Sequence, residues 1–338
     1  MNILITGAAG GIGSTLSLHL TNRGHKIFAL DNLNNGYLNN LKEHDNFFCE
    51  FILDDIRNTD ALKKHLKLNN IETIIHMAAI TSLPECESDP VKCIDVNVAG
   101  SVSVLNAARE MGQKVIMAST SAIYENNNRA DAPFSESLNV NPTLYYSLSK
   151  KMMEDCIKSY IQNYNMPITT LRFFNVFGPR QDIYRKSPPL INYIVRQIKN
   201  KEKAIFFSDG KQVRDYVHVD DVVSMIELCL TNPKNEVFNV CTSTLTSVID
   251  IIEYAEKAFN IKLEHEFVDS KDFWKNYDNL FRGSFPFKKQ ILEKEVNKYS
   301  LGSLRKSSDI MNWNPNVNIE SLMIKTMREN FEKYIINN

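Results

Sequence analysis

The chain has 338 residues, enough for a large core in one or two domains. Its 39 basic and 40 acidic side chains give a formal net charge of −1, so it has no electrostatic footprint for nucleic acid or an anionic membrane. No signal-peptide pattern opens the sequence, and no apolar run reaches the roughly 18 residues that span a bilayer. We therefore expect a cytoplasmic protein whose partners are small molecules or copies of itself.

Metal-binding patterns are absent from the sequence. The 6 cysteines include no CxxC pair, and the 7 histidines form no HExxH motif or similar cluster. Scattered cysteines of this kind favour free thiols in a reducing compartment. We expect no protein-bound metal.

Short apolar runs alternate with amphipathic stretches in the first part of the chain. The predicted strands are 2–6, 26–30, 47–53, 73–76 and 114–119, and the predicted helices are 13–22, 59–68 and 98–111. Strands of this length separated by helices indicate βαβ units. The sequence therefore predicts an α/β fold with a Rossmann-type, doubly wound parallel sheet and helices on both faces.

The alternation continues and then loosens after residue 178. We predict helices at 144–164, 188–199 and 220–230 and strands at 168–173 and 204–207, while 269–289 has no assignable pattern. We predict an NAD-binding domain over 1–178, to which part of 212–245 returns. The residues 179–211 and 246–338 would form a smaller α/β substrate lobe.

Three glycines, Gly7, Gly10 and Gly13, directly follow the first predicted strand. Glycine permits positive φ and lets backbone N–H groups approach phosphates at a helix N-terminus, although a tight turn without a ligand would use the same residues. Asp31 strengthens the cofactor interpretation because it ends the second strand. A carboxylate there can accept both adenosine ribose hydroxyls and repel a 2′-phosphate, which favours NAD over NADP.

Two further strand ends carry candidate cofactor contacts. Asp54 and Asp55 follow the third strand, where a carboxylate could reach the adenine amino group or simply lie in a solvated turn. Ala78 and Ala79 follow the fourth strand and are small enough for a cofactor to lie against them. His76 in that strand is more consistent with a packed, hydrogen-bonded histidine than with a base.

Tyr146 and Lys150 are four residues apart and share one helix face. A tyrosine pKa of about 10 is too high for a base at neutral pH, but a lysine ammonium and a nicotinamide charge would both favour the phenolate. The neighbouring Tyr145 has no lysine four residues on. Upstream, the predicted strand at 114–119 leads into three hydroxyls at the carboxyl edge, where such sheets bind ligands: Ser119, Thr120 and Ser121.

Together these motifs resemble the extended short-chain dehydrogenase/reductase family of NAD-dependent nucleotide-sugar epimerases and dehydratases, in particular its UDP-glucose 4-epimerase-like members. The resemblance covers roughly 1–248 and 308–315. It implies NAD as the cofactor and a nucleotide-diphosphate sugar as the substrate. The cofactor contacts that it implies are Gly7, Gly10, Gly11, Ile12, Gly13, Asp31, Asn32, Asp55, Ile56, Ala78, Ala79, Asn97, Ser119, Tyr146, Lys150 and Phe173.

The same resemblance implies catalytic and substrate-binding residues. It makes Thr120, Tyr146 and Lys150 the catalytic set. The implied substrate contacts are Ser82, Thr120, Ser121, Tyr146, Asn175, Phe207 and Arg214, with Arg214 as a clamp on the phosphates. Family members usually have a second phosphate-binding arginine in an Arg-x-Gly-Asp sequence, in place of which this chain has Tyr299-Ser-Leu-Gly302-Ser-Leu-Arg305, and Arg282 is a candidate substitute.

The residue two places after Thr120 separates the family's reactions. Dehydrating and decarboxylating relatives resemble one another in having an acidic side chain there and fucose-synthase-type relatives have a cysteine, whereas this chain has Ala122. We therefore predict a nucleotide-sugar 4-epimerase acting through a transient 4-keto sugar. A 4-dehydrogenase that releases the 4-keto sugar and a 4-reductase stay open, a 4,6-dehydratase is less favoured, and a non-catalytic NAD-binding regulator is disfavoured because Tyr146 and Lys150 are both present.

The predicted helices at 98–111 and 144–164 are apolar on more than one face, which indicates burial on two sides. Family members pair these two helices across a dimer interface, so the resemblance implies a homodimer. Coverage of the helices by the second lobe is the alternative. The nucleobase and the sugar are left open by the sequence.

Overall fold

The computed structural model describes residues 1–126, 132–275 and 277–333. Residues 127–131 of the predicted NAD-binding domain, and 276 and 334–338 of the predicted substrate lobe, lie outside the described residues. Among the residues that are described, no helix combines the length and apolar character needed to cross a membrane.

The described residues form short strands connected by helices and loops. The strands are β1 (Asn2–Thr6), β2 (Lys26–Asp31), β3 (Lys42–Glu43), β4 (Asn46–Phe47), β5 (Glu50–Leu53), β6 (Thr73–His76), β7 (Lys114–Thr120), β8 (Ile168–Phe173), β9 (Asn175–Phe177), β10 (Ala204–Phe207), β11 (Val213–His218), β12 (Val237–Val240), β13 (Leu245–Ser247) and β14 (His265–Val268). The helices are α1 (Gly11–Asn22), α2 (Thr59–Leu68), α3 (Leu83–Ser88), α4 (Pro90–Ile94), α5 (Ser101–Met111), α6 (Tyr145–Tyr164), α7 (Leu190–Asn200), α8 (Val219–Thr231), α9 (Val248–Phe259), α10 (Lys289–Val296), α11 (Arg305–Met311) and α12 (Ile319–Lys333).

A seven-stranded sheet of order β12-β8-β7-β6-β1-β2-β5 forms the centre of the molecule. All of its neighbouring strands run parallel. The chain moves outward from β1 to β5 on one side and then restarts at β6 on the other. The carboxyl ends of β1 and β6 therefore flank the point at which strand order reverses, which is where such sheets bind ligands. The predicted α/β fold with a doubly wound parallel sheet is confirmed.

Helices cover both faces of this sheet. On one face α1 packs against α8, burying Leu16 and Leu20 with Val222 and Ile226. On the other face α2, α5 and α6 pack together over Val115 and Ile168. Strands buried on both sides read as continuous apolar runs, which explains why β1 and β6 were recognisable in the sequence.

The C-terminal part of the chain builds a separate core. Helices α7, α9 and α12 pack together and bury Ile194, Ile251 and Met323. Strand β11 pairs with β9 and β13, and β10 pairs with β14. All of these strands follow β8 in the sequence. The domain boundaries proposed from the sequence stay a prediction.

Two predicted elements differ from the observed ones. Only Glu50–Leu53 of the predicted strand 47–53 joins the central sheet, because Asn46–Phe47 pairs antiparallel with Lys42–Glu43 as a small hairpin. The predicted helix 98–111 begins as one π-helical turn over Asp95–Gly100 before α5. A Cβ on Gly100 would lie 2.7 Å from the Ile56 side chain, so this turn packs closely on the loop after β5.

Candidate active site

The glycine turn between β1 and α1 is shaped by close backbone contacts. Gly7 has φ of +66°, and a Cβ at this position would lie 2.7 Å from the backbone nitrogen of Ala78. A Cβ on Gly13 would lie only 2.2 Å from the carbonyl oxygen of Gly7. The turn thus excludes side chains at both positions. It leaves the N-terminus of α1 facing the cleft, as a pyrophosphate group requires.

Asp31 lies at the end of β2 and is only 7% exposed. Its carboxylate accepts hydrogen bonds from the backbone N–H groups of Ala9, at 2.9 Å, and Leu33, at 2.8 Å. Burial raises the pKa of Asp31, while these two hydrogen bonds act to lower it. The carboxylate is therefore fixed beside the glycine turn, where a ribose would lie.

Gly36 is a residue of this region that sequence reasoning missed. A Cβ at Gly36 would lie 3.0 Å from both carboxylate oxygens of Asp31. Its signal was the turn-forming run Asn34-Asn35-Gly36 directly after the acidic strand end. A larger residue there would crowd the Asp31 carboxylate.

Asp55 belongs to a polar cluster on the loop after β5. The Arg57 side chain donates to both of its oxygens, and Asn32 donates to it at 3.0 Å. These hydrogen bonds hold the pKa of Asp55 well below its ordinary value, so the carboxylate is ionised and can accept from an adenine amino group.

The segment after β6 lies against the glycine turn and is held from behind by Asn97. The Asn97 amide accepts from the backbone N–H of Ile80 at 2.8 Å and donates to its carbonyl at 2.9 Å. His76 contacts the hydroxyls of Thr6 at 2.7 Å and Ser101 at 3.0 Å, and burial lowers its pKa to about 3. His76 is therefore a neutral, packed histidine, as the sequence predicted.

The predicted catalytic residues meet at the junction of β7 and α6. Lys150 is 3% exposed, and its Nζ donates to the carbonyl of Ala118 at 2.9 Å. Burial raises the pKa of Tyr146 to about 12, although a hydrogen bond from Thr120 acts in the opposite direction. Burial also lowers the pKa of Lys150 to about 8. At neutral pH the tyrosine is thus protonated in the free protein, and the lysine is still mostly an ammonium.

Buried side chains fix helix α6 on its inner face. Ser119 donates to Glu154 at 2.6 Å, and Arg172 forms a bidentate ion pair with the same carboxylate at 2.9 and 2.7 Å. Because this network joins the ends of β7 and β8 to α6, it sets the height of Tyr146 and Lys150 above the sheet. Sequence reasoning missed Glu154, which no local motif distinguishes from a surface glutamate.

Carboxylates also cap the N-terminus of α6. Glu125 accepts from the backbone N–H groups of Thr143 and Leu144, and Glu87 accepts from that of Tyr145. Negative charge at a helix N-terminus is favourable because it meets unpaired N–H groups and the positive end of the helix dipole. Burial raises the pKa of Glu87 to about 7. Two acidic residues from separate segments therefore hold the start of the helix that carries Tyr146.

A cavity of about 520 Å³ joins these features along the carboxyl edge of the sheet. It brings together nearly all of the predicted cofactor-binding and catalytic residues. Those that line it are Gly7, Gly10, Gly11, Ile12, Gly13, Asp31, Asn32, Asp55, Ile56, Ala78, Ala79, Ser119, Thr120, Tyr146, Lys150 and Phe173. Asn97 is the exception, because it lies buried behind the β6 segment.

The other predicted substrate contacts lie outside this lining. Asn175 donates to the carbonyl of Asp215 at 2.8 Å, and the Phe207 ring packs edge-on against Phe273 at 5.2 Å. The Arg214 guanidinium donates to the carbonyl of Val296 at 2.9 Å and to two further carbonyls at the end of α10. Ser82 is buried before α3, and Ser121 opens the 3₁₀ turn after β7. Their assignment as substrate contacts stays a prediction.

The cavity also has lining residues that the sequence did not identify. These include Thr81, Glu85, Lys92, Gln181, Arg185 and Pro189. Glu85 and Lys92 come from the short helices α3 and α4 and the others from loops, so their convergence was visible only in three dimensions.

Comparison with known proteins agrees with this geometry. Residues 3–241 match the NAD dependent epimerase/dehydratase family. The putative UDP-glucose 4-epimerase of Methanocaldococcus jannaschii is 35% identical over 253 residues, covering 74% of this chain and 80% of that protein. The chain therefore belongs to the NAD-dependent epimerase/dehydratase family.

Solved structures show the same relationship over the full length. UDP-glucose 4-epimerase of Thermotoga maritima, crystallised with UDP-glucose, has a TM-score of 0.86 at 27% identity and covers 98% of this chain and 99% of its own. UDP-glucuronic acid 4-epimerase of Bacillus cereus, crystallised with UDP-glucuronic acid and NAD, has a TM-score of 0.82 at 26% identity, covering 99% and 100%. The extended short-chain dehydrogenase/reductase assignment, the enzyme class and NAD as the cofactor are confirmed.

The residues present fit NAD at this site. Side chains are excluded where the pyrophosphate would approach Gly7 and Gly13, and the buried Asp31 carboxylate lies where it would meet the adenosine ribose. When bound, NAD supplies a hydride acceptor and donor next to Tyr146 and Lys150.

Proposed function

We propose that the protein is a nucleotide-sugar 4-epimerase that passes through a transient 4-keto sugar. The observation that carries this proposal is the meeting of Thr120, Tyr146 and Lys150 at one end of the cofactor cavity. Oxidation of a sugar hydroxyl needs a phenolate that accepts the hydroxyl proton and a positive charge that stabilises this phenolate before the proton is transferred. These three residues supply both.

The roles follow from the contacts. Tyr146 would accept the proton of the 4-hydroxyl and return it after the keto sugar has turned its other face. Thr120 would orient the 4-oxygen, since its hydroxyl already bonds to Tyr146. Lys150 as an ammonium, together with the positive charge of the nicotinamide ring, would favour the phenolate of Tyr146.

The identity of residue 122 supports epimerisation over dehydration. Elimination across C5 and C6 needs an additional acid and base near the reacting carbons. Ala122 can supply neither. A reaction that needs only hydride movement and one proton carrier matches the side chains around Tyr146.

The decisive experiment incubates the purified protein, without added oxidant, with a panel of UDP-, GDP- and dTDP-sugars. Sugar protons are followed by NMR while absorbance at 340 nm reports NADH. The proposal expects signals of the C4 epimer without net NADH. A ketosugar that accumulates only with added NAD would instead establish a 4-dehydrogenase.

We also propose that two copies associate through helices 98–111 and 144–164 in the cytoplasm. In α6, Met152 is 38% exposed and Tyr164 is 55% exposed, and pairing would bury this apolar surface. Light scattering at micromolar concentration should then report twice the chain mass of 38.8 kDa. A particle of one chain mass would contradict the dimer.

A further inference from the structure

The cavity is lined by four basic side chains, and they differ in which groups of the protein they interact with. Arg57 is neutralised by Asp55, at 2.8 Å, and by Asp95, at 2.5 Å. Lys150 belongs to the catalytic set, and Lys92 is exposed on the rim. The remaining one is Arg185, which is half-buried in the loop between β9 and α7.

The backbone of Arg185 is held firmly by its neighbours. Its N–H donates to the Asp182 carboxylate at 3.1 Å, and its carbonyl accepts from Arg196 at 3.1 Å. The Nε atom donates to the carbonyl of Ser187 at 2.8 Å. The backbone and the Nε atom of Arg185 are thus held by Asp182 and Ser187 of its own loop and by Arg196 of α7.

The end of the side chain is not used by the protein. The two terminal amino groups of Arg185 make no hydrogen bond or ion pair with any residue in 1–126, 132–275 or 277–333. Asp182, the nearest acid in the loop, instead accepts from the Tyr37 hydroxyl at 2.8 Å and from backbone N–H groups. A guanidinium that is positioned, uncompensated and inside a cavity is suited to a bidentate anionic ligand.

Arg185 lines the same cavity as Tyr146. Its positive charge acts to lower the pKa of both Tyr146 and Tyr37, so it lies within electrostatic reach of both. Arg214, the phosphate clamp predicted from the sequence, donates to three carbonyls at the end of α10 and does not line this cavity.

We propose that Arg185 is the anion-binding residue of the substrate end of the cavity, where it pairs with anionic oxygens of the nucleotide sugar. Those oxygens belong either to the diphosphate or to an acid group on the sugar. This inference rests on the proposed function, because it takes the substrate to be a nucleotide sugar. Arg185 thereby takes the place of the family arginine whose Arg-x-Gly-Asp motif is absent from 299–305.

The test measures binding by calorimetry and needs no turnover. The probes are a nucleoside diphosphate, its glucose ester and its glucuronate ester, with the base chosen as the tightest of UDP, GDP and dTDP. The proteins are the wild type, Arg185→Gln and Arg185→Lys, with Lys186→Gln as the matched control. Lys186 is the next residue, and its ammonium lies over the Tyr277 ring at 4.6 Å, so the control removes the same charge from the same loop.

Loss of a charged hydrogen-bonding partner should weaken binding about 10- to 100-fold in Arg185→Gln, and Lys should restore only part of it. Weakening of all three probes assigns the diphosphate, and weakening of the glucuronate ester alone assigns a sugar acid. The inference is overturned if Arg185→Gln binds every probe as Lys186→Gln does, or if the wild type binds none of them. A protein that binds but does not epimerise would refute the proposed reaction while leaving Arg185 testable.

Discussion

The two ends of the cavity are built in different ways. At the glycine end, around Gly7, Gly13 and Asp31, the shape is set by backbone that no side chain could replace. At the tyrosine end, around Tyr146 and Arg185, the wall consists of side chains brought together from separate segments. A backbone-built end tolerates little change and suits a constant cofactor, whereas a side-chain-built end can change its ligand with single substitutions.

The residues that pack around the tyrosine end also come from separate segments of the chain. Trp274 is fully buried between Leu144, just before α6, and Leu292 of α10. Tyr277 contacts Ser187 of the Arg185 loop through their hydroxyls at 3.3 Å, and Asn279 donates to the carbonyl of Ser88 at 3.1 Å. Aromatic residues distant in sequence thus pack against the start of α6 and against the loop that carries Arg185.

The largest expected effect comes from Tyr146→Phe, at the boundary of the two ends. Removal of the hydroxyl that carries the proton should lower turnover about 10²- to 10⁴-fold, the range of general acid–base catalysis. NAD content after purification should fall far less than turnover, because Tyr146 is one of many predicted cofactor contacts and the glycine end is untouched. Sugar NMR and the absorbance of bound cofactor measure the two quantities separately.

Tyr145→Phe provides the matched control, since it removes the adjacent hydroxyl and leaves Tyr146 in place. It should keep most of its turnover. An unimpaired Tyr146→Phe variant would refute the assigned proton carrier.

The next effect concerns the pH dependence of the unfolding free energy of the protein without bound nucleotide. The pKa of Lys150 is lowered to about 8 by burial, whereas an unfolded lysine titrates near 10.4. Between these values the unfolded chain binds more protons, so this residue makes stability rise with pH, by up to about 3 kcal/mol. Urea unfolding of nucleotide-free wild type and Lys150→Met at pH 7.5 and 9.5 measures the difference.

The wild type should gain stability relative to Lys150→Met between the two pH values. Other alkaline effects are shared by both proteins and cancel in the comparison. A stability difference that stays constant would mean that Lys150 is not desolvated in the free enzyme.

How much was predictable differs between the two ends for physical reasons. Gly7, Gly13 and Asp31 act through local backbone geometry, so a short sequence window carries their signal. Arg185 and Trp274 act through contacts with segments that only folding brings near. The unassigned stretch 269–289 is such a case, because its aromatics follow neither a helix nor a strand period and pack instead around short turns.

The prediction at residue 47 was wrong for a related reason. The apolar run 47–53 fits one strand by composition, yet His44 and Asp45 adopt positive φ of 48° and 66° and turn the chain into a hairpin. Strand composition was correct, but neither this hairpin nor the bend at 48–49 that separates Phe47 from β5 was recognised. In contrast, the helix carrying Tyr146 was placed to within one residue because its helical pattern of apolar residues extends over 20 residues.

A substitution at the glycine end should act on cofactor binding and folding together. The Cβ of Gly13→Ala would lie 2.2 Å from the Gly7 carbonyl, so the turn must open, at a cost of about 1–3 kcal/mol. Gly10→Ala is the milder partner, since its Cβ would lie 3.3 Å from the same oxygen. Thermal unfolding with and without NAD should show a lower midpoint and a smaller NAD-induced increase for Gly13→Ala than for Gly10→Ala.

The smallest effect separates two arginines that follow β8 in the sequence, Arg185 and Arg214. Arg214→Lys keeps the charge but cannot reach all three carbonyls at the end of α10, so we expect a loss of about 1 kcal/mol in unfolding free energy. The terminal amino groups of Arg185 have no partner in the described parts of the chain. Arg185→Lys should therefore leave the unfolding midpoint unchanged and weaken substrate binding instead. If Arg214→Lys weakened binding without loss of stability, its guanidinium would have to leave α10 to clamp the phosphates, and the tyrosine end would then be rearranged by its own substrate.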